Sequence, residues 1–160
     1  MRAHRELVVA VDVAAPAPTL WDLVTDWERQ REWILATRVR VVSGDGRSPG
    51  SVVVAVTGVG DVGVVDTMTV TAFEPAAEGG GRVDVRHTGL VVTGDSSFVV
   101  TAQGPDRSRF TWTEGLELPF GRLGALGWPL VGPVTAAGFR WSLRRLARLA
   151  EGVGTVGGAA

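Results

Sequence analysis

Phe139, Leu143, Leu146 and Ala150 recur at spacings of four, three and four. That is a helical period, and it predicts one amphipathic helix over 133–151, near the end of the chain. Arg140, Arg144, Arg145 and Arg148 fall on the opposite side, where their stems can lie along apolar surface. Gly132 and Pro133 suit the helix start and Gly152 its stop. Such a helix is about 28 Å long, enough to cross a small domain. Its first half is different. From Leu130 to Phe139 no face carries a charge, and Gly132, Ala136, Ala137 and Gly138 are small. A helix apolar all round is expected to be buried all round. Small residues there mean either close backbone packing or open space beside the helix, and open space is the reading carried forward.

The stripe needs a surface to pack on, and the rest of the chain supplies strands. Glu6 to Val13 alternates, with Leu7, Val9, Val11 and Val13 on one face. Pro16 and Pro18 end that strand and suit a first helical turn. Leu20, Leu23, Val24 and Trp27 then share a helical face, Asp26-Trp27 marks a break, and a short second helix is expected over Glu28 to Glu32. Six further strands are expected: Val39 to Val42, Val52 to Thr57, Val64 to Phe73, Arg82 to His87, Leu90 to Gln103 and Arg109 to Leu118. Gly, Pro and Asp clusters separate them at short intervals, as in an antiparallel meander. Helices segregated from an antiparallel sheet read as α+β. No internal repeat is visible.

Composition narrows the function. A chain of 160 residues is the size of one domain and can bury about 70% of its unfolded surface without staples. With no Cys, disulfides, thiolate metal sites and Cys nucleophiles are excluded together. There is no Lys, so all 16 basic side chains are Arg; they are scattered, and the net charge of −1 argues against nucleic acid as a partner. The first residues run into an alternating strand rather than an apolar signal core, so a cytoplasmic location is expected. Leu123 to Phe139 is uncharged but shorter than the roughly 20 residues a membrane span needs, and it contains Gly and Pro; stable membrane insertion is not expected.

The order strand, two short helices, six strands, long helix resembles a known family. The carrying residues are Val11-Asp-Val-Ala-Ala-Pro16 leading to Leu20-Trp-Asp-Leu-Val-Thr-Asp-Trp27, then Asp66-Thr-Met-Thr-Val-Thr-Ala-Phe-Glu-Pro75, Arg86-His-Thr-Gly89, Phe110-Thr-Trp-Thr-Glu-Gly-Leu-Glu-Leu-Pro119 and Ser142-Leu-Arg-Arg-Leu146. On these the chain resembles the START-like superfamily with the helix-grip fold, in its SRPBCC, polyketide cyclase/dehydrase-like branch. The resemblance covers nearly all of residues 5 to 151. It implies a curved seven-stranded antiparallel sheet gripping the last helix, with a cavity between them. Members bind lipids, hormones or polyketides, and only some catalyse, so the resemblance speaks for the fold more than for the chemistry. One domain is expected over 1–152, with a flexible Gly- and Ala-rich tail over 153–160.

Strand parity singles out three polar residues. Asp66 alternates with Met68, Val70 and Ala72; His87 with Val83 and Val85; Glu114 with Phe110, Trp112, Leu116 and Leu118. If those faces meet the long helix, the three converge on the cavity. A carboxyl and imidazole set in a dry pocket can move protons in dehydration or aldol cyclisation. The alternatives are pairing with neighbours such as Arg86 or Arg109, or exposed strand ends. Parity could also run the other way for Asp66. Trp33, Met68, Phe98, Trp112, Ala136 and Phe139 are the expected cavity lining. Trp141 lies among the arginines, suited to stacking on Arg145 or Arg148 or to a homodimer patch with Val134 and Ala137.

Other motifs lose their force in context. Gly58-Val-Gly-Asp-Val-Gly63 fits GxGxxG, but a strand pattern follows where a dinucleotide site needs a helix, so a hairpin is expected. Two His and no Cys make a metal site unlikely to assemble, and no cofactor is expected. Three functions remain in order. The first is a binder of a small apolar molecule, oriented by Glu114, His87 and Asp66 and closed off by the Phe120 to Pro133 segment. The second is a cyclase/dehydratase-type enzyme using the same acids. The third is a membrane-surface or protein-partner module using Leu123 to Leu130.

Overall fold

The computed structural model describes residues 3–60, 62–89, 92–118 and 122–156, with side chains described outside 3–5, 116–118, 122–132 and 153–156. In order, the chain forms β1 (Ala3–Val13), α1 (Ala17–Thr25), a 3₁₀ turn (Glu28–Glu32), β2 (Thr37–Ser43), β3 (Val52–Val59), β4 (Val62–Pro75), β5 (Gly81–Thr88), β6 (Thr93–Ala102), β7 (Ser108–Leu118) and α2 (Arg122–Val156). The strands make one seven-stranded sheet in the order β1-β7-β6-β5-β4-β3-β2. All six pairings are antiparallel. Chain order becomes sheet order from β2 to β7, and only β1 crosses over, to pair with β7. This is the α+β helix-grip architecture.

One face of the sheet is buried. The alternating rows Val53 and Ala55, Met68 and Val70, Val83 and Val85, Phe98 and Val100, and Phe110 and Trp112 point inward. Leu20, Leu23 and Val24 from α1 and Leu143, Leu146 and Ala150 from α2 close over them. The α2 stripe thus does what its period implies, and Arg140, Arg144, Arg145 and Arg148 face solvent. Three polar contacts fix the covering pieces. Gln30 Nε2 donates to Val24 O at 3.1 Å, holding the 3₁₀ turn under α1. Leu35 N–H donates to Ser142 Oγ at 3.1 Å, and Ala14 N–H to Glu151 Oε1 at 3.1 Å, pinning both sides of α2.

The structure departs from the sequence reading in three places. A register shift between Val70 and Ala72 inserts Thr71 as a bulge, so Ala72 leaves the Asp66–Met68–Val70 row. Phe73 takes its place inside, opposite Val83, with its ring 5.4 Å from that of Trp21. Next, α2 begins at Arg122, not at Pro133, and runs past Gly152. Pro129 and Pro133 are four apart, so the backbone bonds they remove fall on one side of the helix and its other rows persist. Finally, the apolar half of α2 is not buried all round. Val134 is 73% exposed, and Pro133 and Ala137 are also exposed. Only one side of this half faces the sheet.

The Gly58–Gly63 motif lies where β3 turns into β4, around Gly60 with φ 61°. A Cβ on Gly58 would stand 2.2 Å from Val62 O, so close strand approach explains that glycine. Among the described residues no helix is long and apolar enough to cross a membrane.

Candidate functional site

Four neighbouring strands each send one polar side chain inward at the same level. Asp66 comes from β4, His87 from β5, Ser96 from β6 and Glu114 from β7. Ser96 stands directly opposite Glu114 in the register, and His87 opposite Met68, one inward step from Asp66. The imidazole sits at the centre. Its Nδ1–H donates to Asp66 Oδ2 at 2.6 Å. Its Nε2 faces Ser96 Oγ at 2.6 Å and Glu114 Oε1 at 3.0 Å. Trp112 Nε1–H donates to the other oxygen of Glu114, Oε2, at 2.8 Å. His87, Ser96 and Glu114 are buried, and Asp66 is nearly so.

This geometry decides the protonation of His87. Burial alone would push its pKa down, but hydrogen bonds to Asp66 and Glu114, and their charges, outweigh that and raise it from 6.5 to about 9. At neutral pH the ring is an imidazolium with both N–H groups engaged. It can hold or donate a proton; it is not free to accept one.

The polar belt forms one pole of a cavity of about 360 Å³ between the sheet and α2. Met68, Val83, Val85, Phe98, Trp112 and Phe139 make much of the apolar wall. Leu35, Val134, Thr135 and Gly138 also line it, and Leu35 and Val134 are exposed, which places the mouth between α2 and the segment entering β2. Gly138 provides space there: a Cβ would meet only Leu35 Cδ2, at 3.8 Å.

Of the residues singled out by sequence, Asp66, His87, Glu114, Met68, Phe98, Trp112 and Phe139 come together on the cavity wall. Trp33 does not. It is fully buried behind the wall, with ring centroids 6.1, 5.8 and 5.9 Å from Phe98, Phe110 and Trp112, because the 3₁₀ turn ends by driving it into the core. Ala136 does not line the cavity either; the intervening helical positions Thr135, Gly138 and Phe139 do. Arg86 pairs with Asp95 and Arg109 with Asp12, both at 2.9 Å and on exposed side chains. Ser96 was missed by the sequence reading, although parity with Phe98 puts both on one face. Trp27 and Gln30 also line the cavity, and only the helical hairpin's tertiary position shows it. Among the described residues no His, Cys, Asp or Glu group could hold a metal ion. Trp141 is partly exposed, with the Arg145 guanidinium 5.5 Å over its ring. The Phe120 closure and the Leu123 to Leu130 contact concern side chains outside the described residues.

The profile of a family described as polyketide cyclase/dehydrase and lipid transport matches residues 4–151. The chain belongs to this family. No curated protein matches it in sequence. Solved structures similar to this polyketide cyclase/dehydrase and lipid-transport family member include the Zhui aromatase/cyclase from Streptomyces sp. R1128, with TM-score 0.71 and 17% identity, covering 93% of this chain and 94% of the other. A START superfamily protein from Mycobacterium smegmatis is similar with TM-score 0.63 and 20% identity, over 96% and 98% of the two chains. Norcoclaurine synthase from Thalictrum flavum is similar with TM-score 0.63 and 13% identity, over 94% and 96%. At such identities these likenesses speak for the fold, which is START-like.

Proposed function

We propose that this family member binds a small, mostly apolar molecule between the sheet and α2, with the Asp66–His87–Glu114 belt orienting its polar end. The observation that carries this reading is the cavity of about 360 Å³ walled by Met68, Val85, Phe98, Trp112 and Phe139, with its titratable side chains, among the described residues, gathered at that belt. Apolar walls with a few converging polar groups are the usual make-up of a small-molecule site. The experiment is a fluorescence titration with the uncharged probe N-phenylnaphthylamine, beside native mass spectrometry of the purified protein. Gly138→Leu fills the mouth and is expected to abolish probe binding while the folded circular-dichroism spectrum stays unchanged. Equal binding by wild type and Gly138→Leu rejects the cavity as the site.

The belt also favours a second reading, cyclase/dehydratase-type chemistry on the bound molecule. An imidazolium held between two carboxylates is a positioned acid, able to protonate a departing hydroxyl or a carbonyl oxygen and to be recharged through Asp66 or Glu114. In this reading His87 is the donor and Glu114 its positioning partner. Glu114→Gln and His87→Ala variants that still bind a polyketide-like substrate but no longer turn it over would support it. Absence of turnover by the wild type leaves the carrier reading alone.

A further inference from the structure

The charge of the polar belt goes further than its polarity. Asp66, His87 and Glu114 are the titratable side chains lining the cavity among the described residues, and no arginine lines it there. Arg82 pairs with the half-buried Asp84, and Arg86 and Arg109 pair with Asp95 and Asp12 on exposed side chains. One imidazole therefore faces two carboxylates. With both acids ionised the cluster sums to −1, and with one proton shared between them it is neutral. It turns positive only if both acids are protonated together. The hydrogen-bonding inventory leans the same way. Both imidazole nitrogens are directed at Asp66, Ser96 and Glu114, and the Trp112 N–H at Glu114. The imidazole and indole N–H donors at this pole are engaged, while carboxylate oxygens keep accepting capacity, Asp66 Oδ1 being buried without a hydrogen-bond partner among the described residues.

Building on the binding reading above, we propose that this cavity selects apolar molecules whose polar end donates a hydrogen bond or is cationic, such as an alcohol, phenol or amine, and rejects those ending in a carboxylate or phosphate. An anionic end would be desolvated against a cluster that sums to −1 with both acids ionised, and the imidazolium at its centre is already engaged by those acids. One like charge about 6 Å away through an effective dielectric near 20 weakens binding on the order of 100-fold.

The test is displacement of N-phenylnaphthylamine at neutral pH by four ligands of one chain length: decanol, decylammonium, decanoate and methyl decanoate. Decanol and decylammonium are expected to displace the probe, with decanoate about 100-fold weaker than decanol. Methyl decanoate, uncharged and of similar shape but without a donor, should fall between decanol and decanoate, which separates charge from size without any mutation. Glu114→Gln should narrow the gap between decanol and decanoate. Decanoate competing within a few-fold of decanol overturns the charge rule while leaving the cavity a binding site. Failure of the probe to bind at all removes the binding reading, and the charge rule with it.

Discussion

His87 is a cation only because the fold makes it one, and that has a consequence for stability. Its pKa rises from 6.5 to about 9 on folding. A group whose folded pKa exceeds its unfolded value stabilises fully below the unfolded pKa and loses that contribution as pH climbs through the folded one. The window is therefore about pH 6.5 to 9, and the contribution lost is at most about 3 kcal/mol. Urea denaturation should show the wild-type midpoint falling across that window. In His87→Asn the imidazole's share of that fall should vanish. That variant should also be less stable at pH 6.5 by about 3 kcal/mol or more, because Asp66 and Glu114 are left buried without their counter-charge. A wild-type midpoint flat over this range would mean that the imidazole is neutral in the fold. The trio was legible in sequence because each member alternates with apolar strand residues. Its internal pairing was not. Which nitrogen meets which acid depends on strand register, and a period-two pattern carries no register.

At the scale of elements, α2 shows what a pattern does and does not convey. The Phe139–Leu143–Leu146–Ala150 stripe places the gripped face correctly, and Leu146 and Ala150 are fully buried. Leu146→Ala should cost about 3 kcal/mol of unfolding free energy, as for other fully buried leucines. Arg144→Ala, on the solvent side, should change it by less than about 0.5 kcal/mol. Comparable losses at the two positions would reverse the assigned faces. The helix start was illegible because a proline reads as a terminus, whereas Pro129 and Pro133 lie inside this helix. The Thr71 bulge was illegible for a related reason: nothing in an alternating string marks the residue at which alternation slips. The loop between β2 and β3 was legible as a turn but not as a support. There Gly46 has φ +74°, its carbonyl accepts the Trp27 Nε1–H at 2.7 Å, and a Cβ would lie 2.9 Å from the Trp27 ring. Asp45 organises the same loop: backbone N–H groups of Ser48 and Arg47 hold its carboxyl well below the usual range. Gly46→Ala combines left-handed strain with a steric conflict and should cost about 1–3 kcal/mol. It should also weaken probe binding, since Trp27 lines the cavity. A melting temperature equal to the wild type's would show that the loop relaxes freely.

For the whole molecule, the cavity lies between the sheet and α2, which polar contacts join among the described residues. The Leu35–Ser142 hydrogen bond at 3.1 Å is one of them, and it sits beside the mouth. A ligand filling this space touches the sheet on one side and Phe139 and Gly138 of α2 on the other, so it binds the assembled fold and not the unfolded chain. Mass action then sets the size of the effect. At a free probe concentration 100 times the Kd found by fluorescence, the folded state gains about 2.7 kcal/mol. For a chain of this length that corresponds to a rise in melting temperature of about 5–10 °C. Binding at an unrelated surface would give the same rise, so the wild type alone does not decide. Gly138→Leu does, because its side chain enters the cavity mouth and leaves the outer surface of the sheet untouched. Scanning calorimetry at one fixed probe concentration should show the full rise for wild type and less than about 1 °C for Gly138→Leu. A rise of equal size in both would place the ligand elsewhere on the molecule.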